Sequence, residues 1–515
     1  MESRSDNKRL AKNTIVLYMR TLVIMFIGFY TSRVILNALG IDNYGINNVV
    51  GGFIAMFAVV QTTLTSATTR FMTFELGKSV NSNPQKTFGV VMTIHIALAV
   101  FMIVLLETIG IYFLNHGLNI PENRIWAANW VFHLSVVSMA IGILNSPYIG
   151  LVIAHEKMDA FAYMSLFDVC TKLGICYLLY VTPHDRLITY SVFFLCTNII
   201  GVIIYHLYSI HKFSESKYIF VKDKSRYIEI FRFAGLNFAG GLASMLSTHG
   251  TNILINIFFG VTLNAAMGIA NQVKGISTKF VGDFIMALKP QITKEYANGD
   301  IHRSMELTFR GSKFSYFLTL ILAVPIMART SYILDFWLKI FPPEAVIFSQ
   351  LTIILTLLVL LSDTIVTEIH ASGDVKDANI WIGGLRLMIL PVEYIALLLF
   401  HFSYIVLVVQ IAMEIFSLFV RLKILNKITK IDHISVFIRT VFLPIASVTV
   451  LSAFVAFVCN QIIPENFLGL CLVSGISMTI CCISILYLGL SQSERATVLC
   501  VAKRKIEKVM TAFKR

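Results

Sequence analysis

A few charged side chains stand in otherwise apolar sequence, and these are the residues that can do chemistry. Arg20 and Arg33 lie in the first apolar stretch, Arg70 closes the second, and Lys274, Lys279 and Asp283 interrupt the eighth. Asp363, Glu368 and Glu414 fall in later stretches. In the middle of a membrane such a charge costs roughly 2.5 to 3.5 kcal/mol, so each demands a partner or a watery cavity. At a rise of 1.5 Å per residue, Arg20 is about 10 Å and Lys274 about 17 Å into its helix, the latter beyond easy snorkelling. Cations at that depth suit an anionic ligand, and the carboxylates suit coupling to H+ or Na+. Each also has a plainer role. Arg33, near a helix end, can snorkel to headgroups, and Arg70 and Glu75 can anchor at the interface. Lys274 can be neutralised by Asp283 or by a carboxylate of the tenth stretch. Lys279 and Asp283, like Asp168 and Lys172, are four apart and can pair with each other.

The elements that must position these charges follow from composition. The chain has 515 residues, of which 57% are hydrophobic and 14% charged, against about a quarter charged in soluble domains. It reads as an all-α polytopic membrane protein with fourteen spans: 13–39, 46–70, 87–114, 124–146, 159–181, 187–210, 230–258, 263–288, 312–335, 346–370, 378–400, 403–423, 437–461 and 467–490. The basic start runs into an apolar stretch of about 26 residues with no small-residue cleavage site, so it is expected to be retained. The net charge of +13 is a matter of topology. With the N-terminus in the cytoplasm, the inner segments hold 31 Lys and Arg and the outer connections 3, a strong positive-inside bias that places both termini inside. Nucleic acid is not needed to explain it. The eight cysteines contain no CxxC pair and read as packing residues. GKS at 77–79 lacks the upstream glycine of a phosphate loop, and HEKMD at 155–159 lacks the second His of a zinc site, so neither a nucleotide nor a metal cofactor is expected.

The chain also repeats itself. YGINNVVGG (44–52) and MGIANQVKG (267–275) agree at five of nine positions at an offset of 223, with Gly51 replaced by Lys274. ALG ending at Gly40 matches FFG ending at Gly260, and Thr73 and Glu75 match Thr293 and Glu295. Spans 1–6 and 7–12 are therefore two six-helix lobes, and six spans each makes them parallel repeats about an axis along the membrane normal, as in transporters with a central site. The expected divisions are an N-lobe at 1–210, a cytoplasmic loop at 211–229, a C-lobe at 230–430, two extra spans at 431–490 and a basic tail at 491–515.

This architecture, with SRVILNALGIDNYGINNVVGG (32–52), AHEKMDAFA (154–162) and ALKPQITKEYANGD (287–300), resembles the polysaccharide flippases of O-antigen and capsule export. Their superfamily also holds the cell-wall-precursor flippases and the MATE multidrug exporters. The resemblance implies a bacterial inner-membrane flippase moving undecaprenyl-pyrophosphate-linked oligosaccharide to the outer leaflet by alternating access around a cationic cavity. It implies a functional Arg near Arg33, a lipid-tail groove in the two extra spans, and polymerase and glycosyltransferase neighbours. With that substrate in view, Arg20, Arg33 and Lys274, with Lys279 and Arg70, become candidates to hold the pyrophosphate. A MATE-type cation-coupled drug exporter is the alternative; it usually has twelve spans and an acidic N-lobe site. A membrane polymerase would need a long outer loop, and no outer loop here exceeds about ten residues. Reporter fusions check the topology: Asn119, Pro183 and Pro342 should report outside, and Ser216 and the C-terminus inside. An outside report at Ser216 breaks the two-lobe arrangement.

Overall fold

The computed structural model describes residues 23–496 apart from 25, 29, 56, 78–82, 156 and 373–375, and for some of these, including Arg70, 232–248 and Asp283, it describes the backbone alone. No strand occurs among the described residues. The helices are α1 (Phe26–Leu39), α2 (Ile41–Ala55), α3 (Ala58–Gly77), α4 (Pro84–Gly117), α5 (Ile125–Ala154), α6 (Met158–Leu178), α7 (Arg186–Lys212), α8 (Lys224–Phe259), α9 (Val261–Ala297), α10 (Ile301–Ala328), α11 (Thr330–Leu338), α12 (Glu344–Ala371), α13 (Lys376–Phe400), α14 (Ile405–Thr429), α15 (His433–Ile462) and α16 (Phe467–Gly489). Ten helices among the described residues are long and apolar enough to cross a membrane. They match expected spans 3–6 and 9–14. The other four expected spans fall on α1, on α2 with α3, on α8 and on α9, the last three of which carry the polar runs and Lys274.

Helix ends follow local chemistry. Asn83 caps α4 ahead of Pro84, and Asp185, Asp223, Asp300, Asp432 and Asn466 each accept a backbone N–H at the start of α7, α8, α10, α15 and α16, satisfying donors that a first turn leaves open. Two turns are tighter than expected. The connections anticipated at 40–45 and 259–262 shrink to Gly40 and Gly260, which have φ of 79° and 80°. Gly40 N–H donates to Leu36 O at 2.9 Å and Gly260 N–H to Asn256 O at 2.8 Å. In that left-handed conformation, which glycine adopts without strain, one residue ends a helix and starts the next.

The chain divides into two compact units, one of residues 1–268, 340–345 and 386–406, the other of the remainder. In the N-terminal unit α5 is the central post: Val131, Phe132, Val136 and Ile143 are buried among α2, α3, α4 and α7. The repeated phrases explain part of this packing. A Cβ on Gly45 would lie 1.9 Å from Val261 O, and one on Gly268 would lie 2.4 Å from Asn48 Nδ2. Asn48 of the first phrase thus lies against Gly268 at the start of the second, and Gly45 lies against Val261 just upstream of it. Glu75 is not at the surface. It is buried, accepts from Asn83 N–H at 2.8 Å and lies 3.6 Å from Arg226, tying the start of α4 and of α8 to the end of α3.

In the C-terminal unit α10 packs against α12, α15 and α16 through small polar residues. Ser312 and Thr364 hydroxyls are 2.7 Å apart, and a Cβ on Gly311 would meet Thr364 at 2.9 Å. Arg329, overlooked as an intramembrane charge, is 2% exposed. It pairs with Glu465 at 3.1 Å and donates to the carbonyls of Asn460 and Ile463, closing the C-terminal end of α15. A cation there complements the helix dipole. Gly45→Ala and Gly268→Ala should each destabilise the purified protein by about 1–3 kcal/mol through overpacking. Gly51→Ala, with nothing within 4 Å of its Cβ, should leave the melting temperature unchanged. Equal melting of all three would remove the contact between the phrases.

Candidate functional site

The N-terminal unit contains a polar cleft. A cavity of about 350 Å³ is lined by Asn47, Gln61, Ser135, Ser138, Tyr190 and Asn198. An adjoining one of about 250 Å³ shares Gln61, Gly142 and Asn198 and reaches Asn145, Asp168 and Lys172. Gln61 is fixed by donating to Gly142 O at 3.2 Å. Ser138 Oγ and Asn145 Oδ1 are buried and have no hydrogen-bond partner among the described residues. Buried polar atoms are completed by water or by a ligand, so the cleft presents neutral amides and hydroxyls to whatever enters. Its one charged pair is internally balanced: Lys172 Nζ donates to Asp168 at 2.8 Å, as the i,i+4 spacing suggests, and lies over the Phe194 ring at 5.2 Å.

The C-terminal unit concentrates charge instead. Arg421, 2% exposed on α14, donates from Nη1 to Glu414 Oε1 at 2.5 Å and to Ser362 Oγ at 2.5 Å. Ser362 in turn donates to the same Glu414 oxygen at 2.9 Å. Lys274, half-buried on α9, makes no ion pair among the described residues. Of the neutralising partners expected for it, Asp283 has its side chain outside the described residues, and the carboxylates of span 10 are engaged elsewhere. On α12, Asp363 lies 3.4 Å from Lys289. Glu368 is fully buried and its Oε2 accepts from Ser304 at 2.7 Å and Thr308 at 3.0 Å, while its Oε1 has no hydrogen-bond partner among the described residues.

The other anticipated residues are placed as follows. Arg20 lies outside the described residues, as do the side chains of Arg70 and Asp283. Arg33 is half-buried on α1 and Lys279 is exposed on α9. Glu393, one of the span 11 charges, is buried and accepts from Thr251 at 2.9 Å. Sequence reasoning missed Arg421, which it counted among cytoplasmic cations. The clue was its spacing of seven from Glu414, two helical turns along one face.

With this geometry in view, comparison with solved structures is informative. The lipid II flippase MurJ, in an inward closed conformation, matches with a TM-score of 0.67 at 16% identity, over 93% of this chain and 99% of that one. An inward-facing multidrug resistance MATE family transporter of the MOP superfamily gives 0.66 at 11% identity, over 81% and 99%. A mutant of the Vibrio cholerae MATE transporter VcmN gives 0.55 at 16%, over 82% and 98%. No protein-family model and no curated protein matches the chain. At these identities the likeness is one of fold: the chain has the multi-pass helical fold of these transporters. Arg421→Ala should cost about 3 kcal/mol, the lower end for breaking a buried pair because Glu414 is half-buried. Adding Glu414→Gln should recover much of that loss. Thermal unfolding in detergent reads both, and an unchanged single variant would mean the pair carries no weight.

Proposed function

We propose that the protein is a flippase that carries an undecaprenyl-pyrophosphate-linked oligosaccharide from the inner to the outer leaflet of a bacterial inner membrane, for O-antigen or capsule assembly. The observation that carries this reading is the charge at Lys274. Lys274 makes no ion pair among the described residues, and Glu414 is already held by Arg421 and Ser362, which supports an anionic ligand at Lys274. A pyrophosphate supplies one, and in a partly dry site each charge-assisted contact is worth more than in water. Arg20, Arg33, Lys279 and Arg70 provide further cations for the same group during transport.

The cleft in the N-terminal unit fits the other half of such a molecule. Asn47, Gln61, Asn145 and Asn198, with Ser135 and Ser138, offer donors and acceptors of the kind that pair with sugar hydroxyls. Coupling to H+ or Na+ falls to Asp283, Asp363, Glu368 and Glu414. Of these, Glu368 is held by hydroxyls and has an oxygen to spare, whereas Asp363 and Glu414 are each engaged by a cation. The MATE-type alternative asks for acidic side chains open to an organic cation in the N-terminal unit. There Asp168 is closed by Lys172 and Asp185 by Arg124, which favours the anionic cargo. The likeness over 93% of the chain to a protein whose name is that of a lipid II flippase supports the same choice.

Lys274→Ala and Lys274→Arg separate an anion site from a structural charge. The flippase reading expects normal protein level with both, loss of surface glycan with Ala, and partial export with Arg. Lipid-linked oligosaccharide should then accumulate on the inner leaflet. Full export by well-expressed Lys274→Ala overturns it, and a fall in cationic dye efflux with unchanged surface glycan points to the drug exporter.

A further inference from the structure

A cavity in the C-terminal unit belongs to neither feature above. It encloses about 600 Å³ between the first turns of α10, the start of α15 and the end of α16. Two π-helical turns border it. Ile438–Phe442 contributes Arg439 and Thr440, and Ile485–Gly489 contributes Leu488 and Gly489. Wide turns of this type often mark functional places in a helix. Gly489 holds α16 close to α10, since a Cβ there would meet the Phe317 ring at 2.6 Å.

The floor of the cavity is a fixed ionic cluster. Lys313 Nζ donates to Glu494 at 2.7 Å, and both side chains are buried. Arg310 reaches Glu494 at 3.5 Å and Glu306 at 2.6 Å, and Glu306 is also bound by Arg303 at 2.6 Å. Ser491 and Glu494 form a reciprocal capping box, with Ser491 N–H to Glu494 at 2.8 Å and Glu494 N–H to Ser491 Oγ at 3.4 Å. Burial alone would raise the Glu494 carboxyl, but hydrogen bonds from Lys313 and the Ser491 N–H hold it below the usual carboxylate range. It is therefore ionised, and the two carboxylates are already satisfied by three cations. Arg439 adds a fourth cation on the wall, exposed and with no hydrogen bond or ion pair among the described residues. Beside it on these two turns and the residue that follows the first, Phe442, Leu443, Tyr487 and Leu488 are 52%, 56%, 67% and 49% exposed. Such side chains, on helices apolar enough to span a membrane, are covered by hydrocarbon.

A spare cation over a basic floor, bordered by exposed apolar side chains, matches a molecule that is anionic at one end and hydrocarbon at the other. We propose that this cavity holds a resident anionic phospholipid, its phosphate on Arg439 and its acyl chains along Phe442, Leu443 and Leu488. The lipid is a fixed ligand of this unit and is distinct from the transported cargo, so the assignment stands whether or not the flippase reading does. Free inorganic phosphate shares the headgroup chemistry but has no use for the apolar border.

The test uses the full chain purified in detergent and stripped of lipid. Phosphatidylglycerol should raise the thermal midpoint and remain bound as one molecule in native mass spectrometry. Phosphatidylcholine and inorganic phosphate should do neither. Arg439→Gln and Arg439→Glu should weaken the phosphatidylglycerol affinity by about tenfold or more, the loss of one charge-assisted contact, without changing the lipid-free midpoint. Equal effects of phosphatidylcholine, an equal effect of inorganic phosphate, or unchanged affinity in both variants would each overturn the assignment.

Discussion

The constraint on which this structure depends is that hydrocarbon offers no partner to a charge or to an open backbone group. The C-terminal unit meets it ion by ion. Arg329 finds Glu465 and two carbonyls, Lys313 finds Glu494, Lys289 finds Asp363, and Arg421 finds Glu414. Lys274 and Arg439 stand apart from this pattern, with no ion pair among the described residues.

The N-terminal unit meets the same constraint differently. Its cleft is lined mainly by neutral amides and hydroxyls, and its charged pair, Asp168 with Lys172, is closed on itself. The two units thus differ in chemistry. Their sequences share a phrase, and the residue that differs most within it, Gly51 against Lys274, is the one at which the chemistry parts company.

Much of this was legible in the sequence because hydropathy is a local property. Ten expected spans coincide with apolar helices, and the sequence match of Gly40 and Gly260 corresponds to two glycines of nearly identical φ. The i,i+4 pair of Asp168 and Lys172 was legible for the same reason. What escaped notice depends on tertiary neighbours. Lys313 and Arg421 were counted as cations at a membrane surface, yet Lys313 is buried against Glu494, far along the chain, and Arg421 against Glu414. Glu75 was assigned to the interface and is buried under Arg226. The Asn and Ser residues of the cleft passed unremarked because neutral polar side chains are ordinary in helices and reveal themselves only when several converge.

The single-residue turns at Gly40 and Gly260 carry a mechanical consequence. A long connection absorbs relative motion in its own slack, but a joint made of one residue has two dihedrals and no slack. α1 with α2, and α8 with α9, are therefore geared: a rotation of one member is delivered to the other within a single peptide unit. These joints are stiff because no loop is present to take up a change in the angle between the two helices.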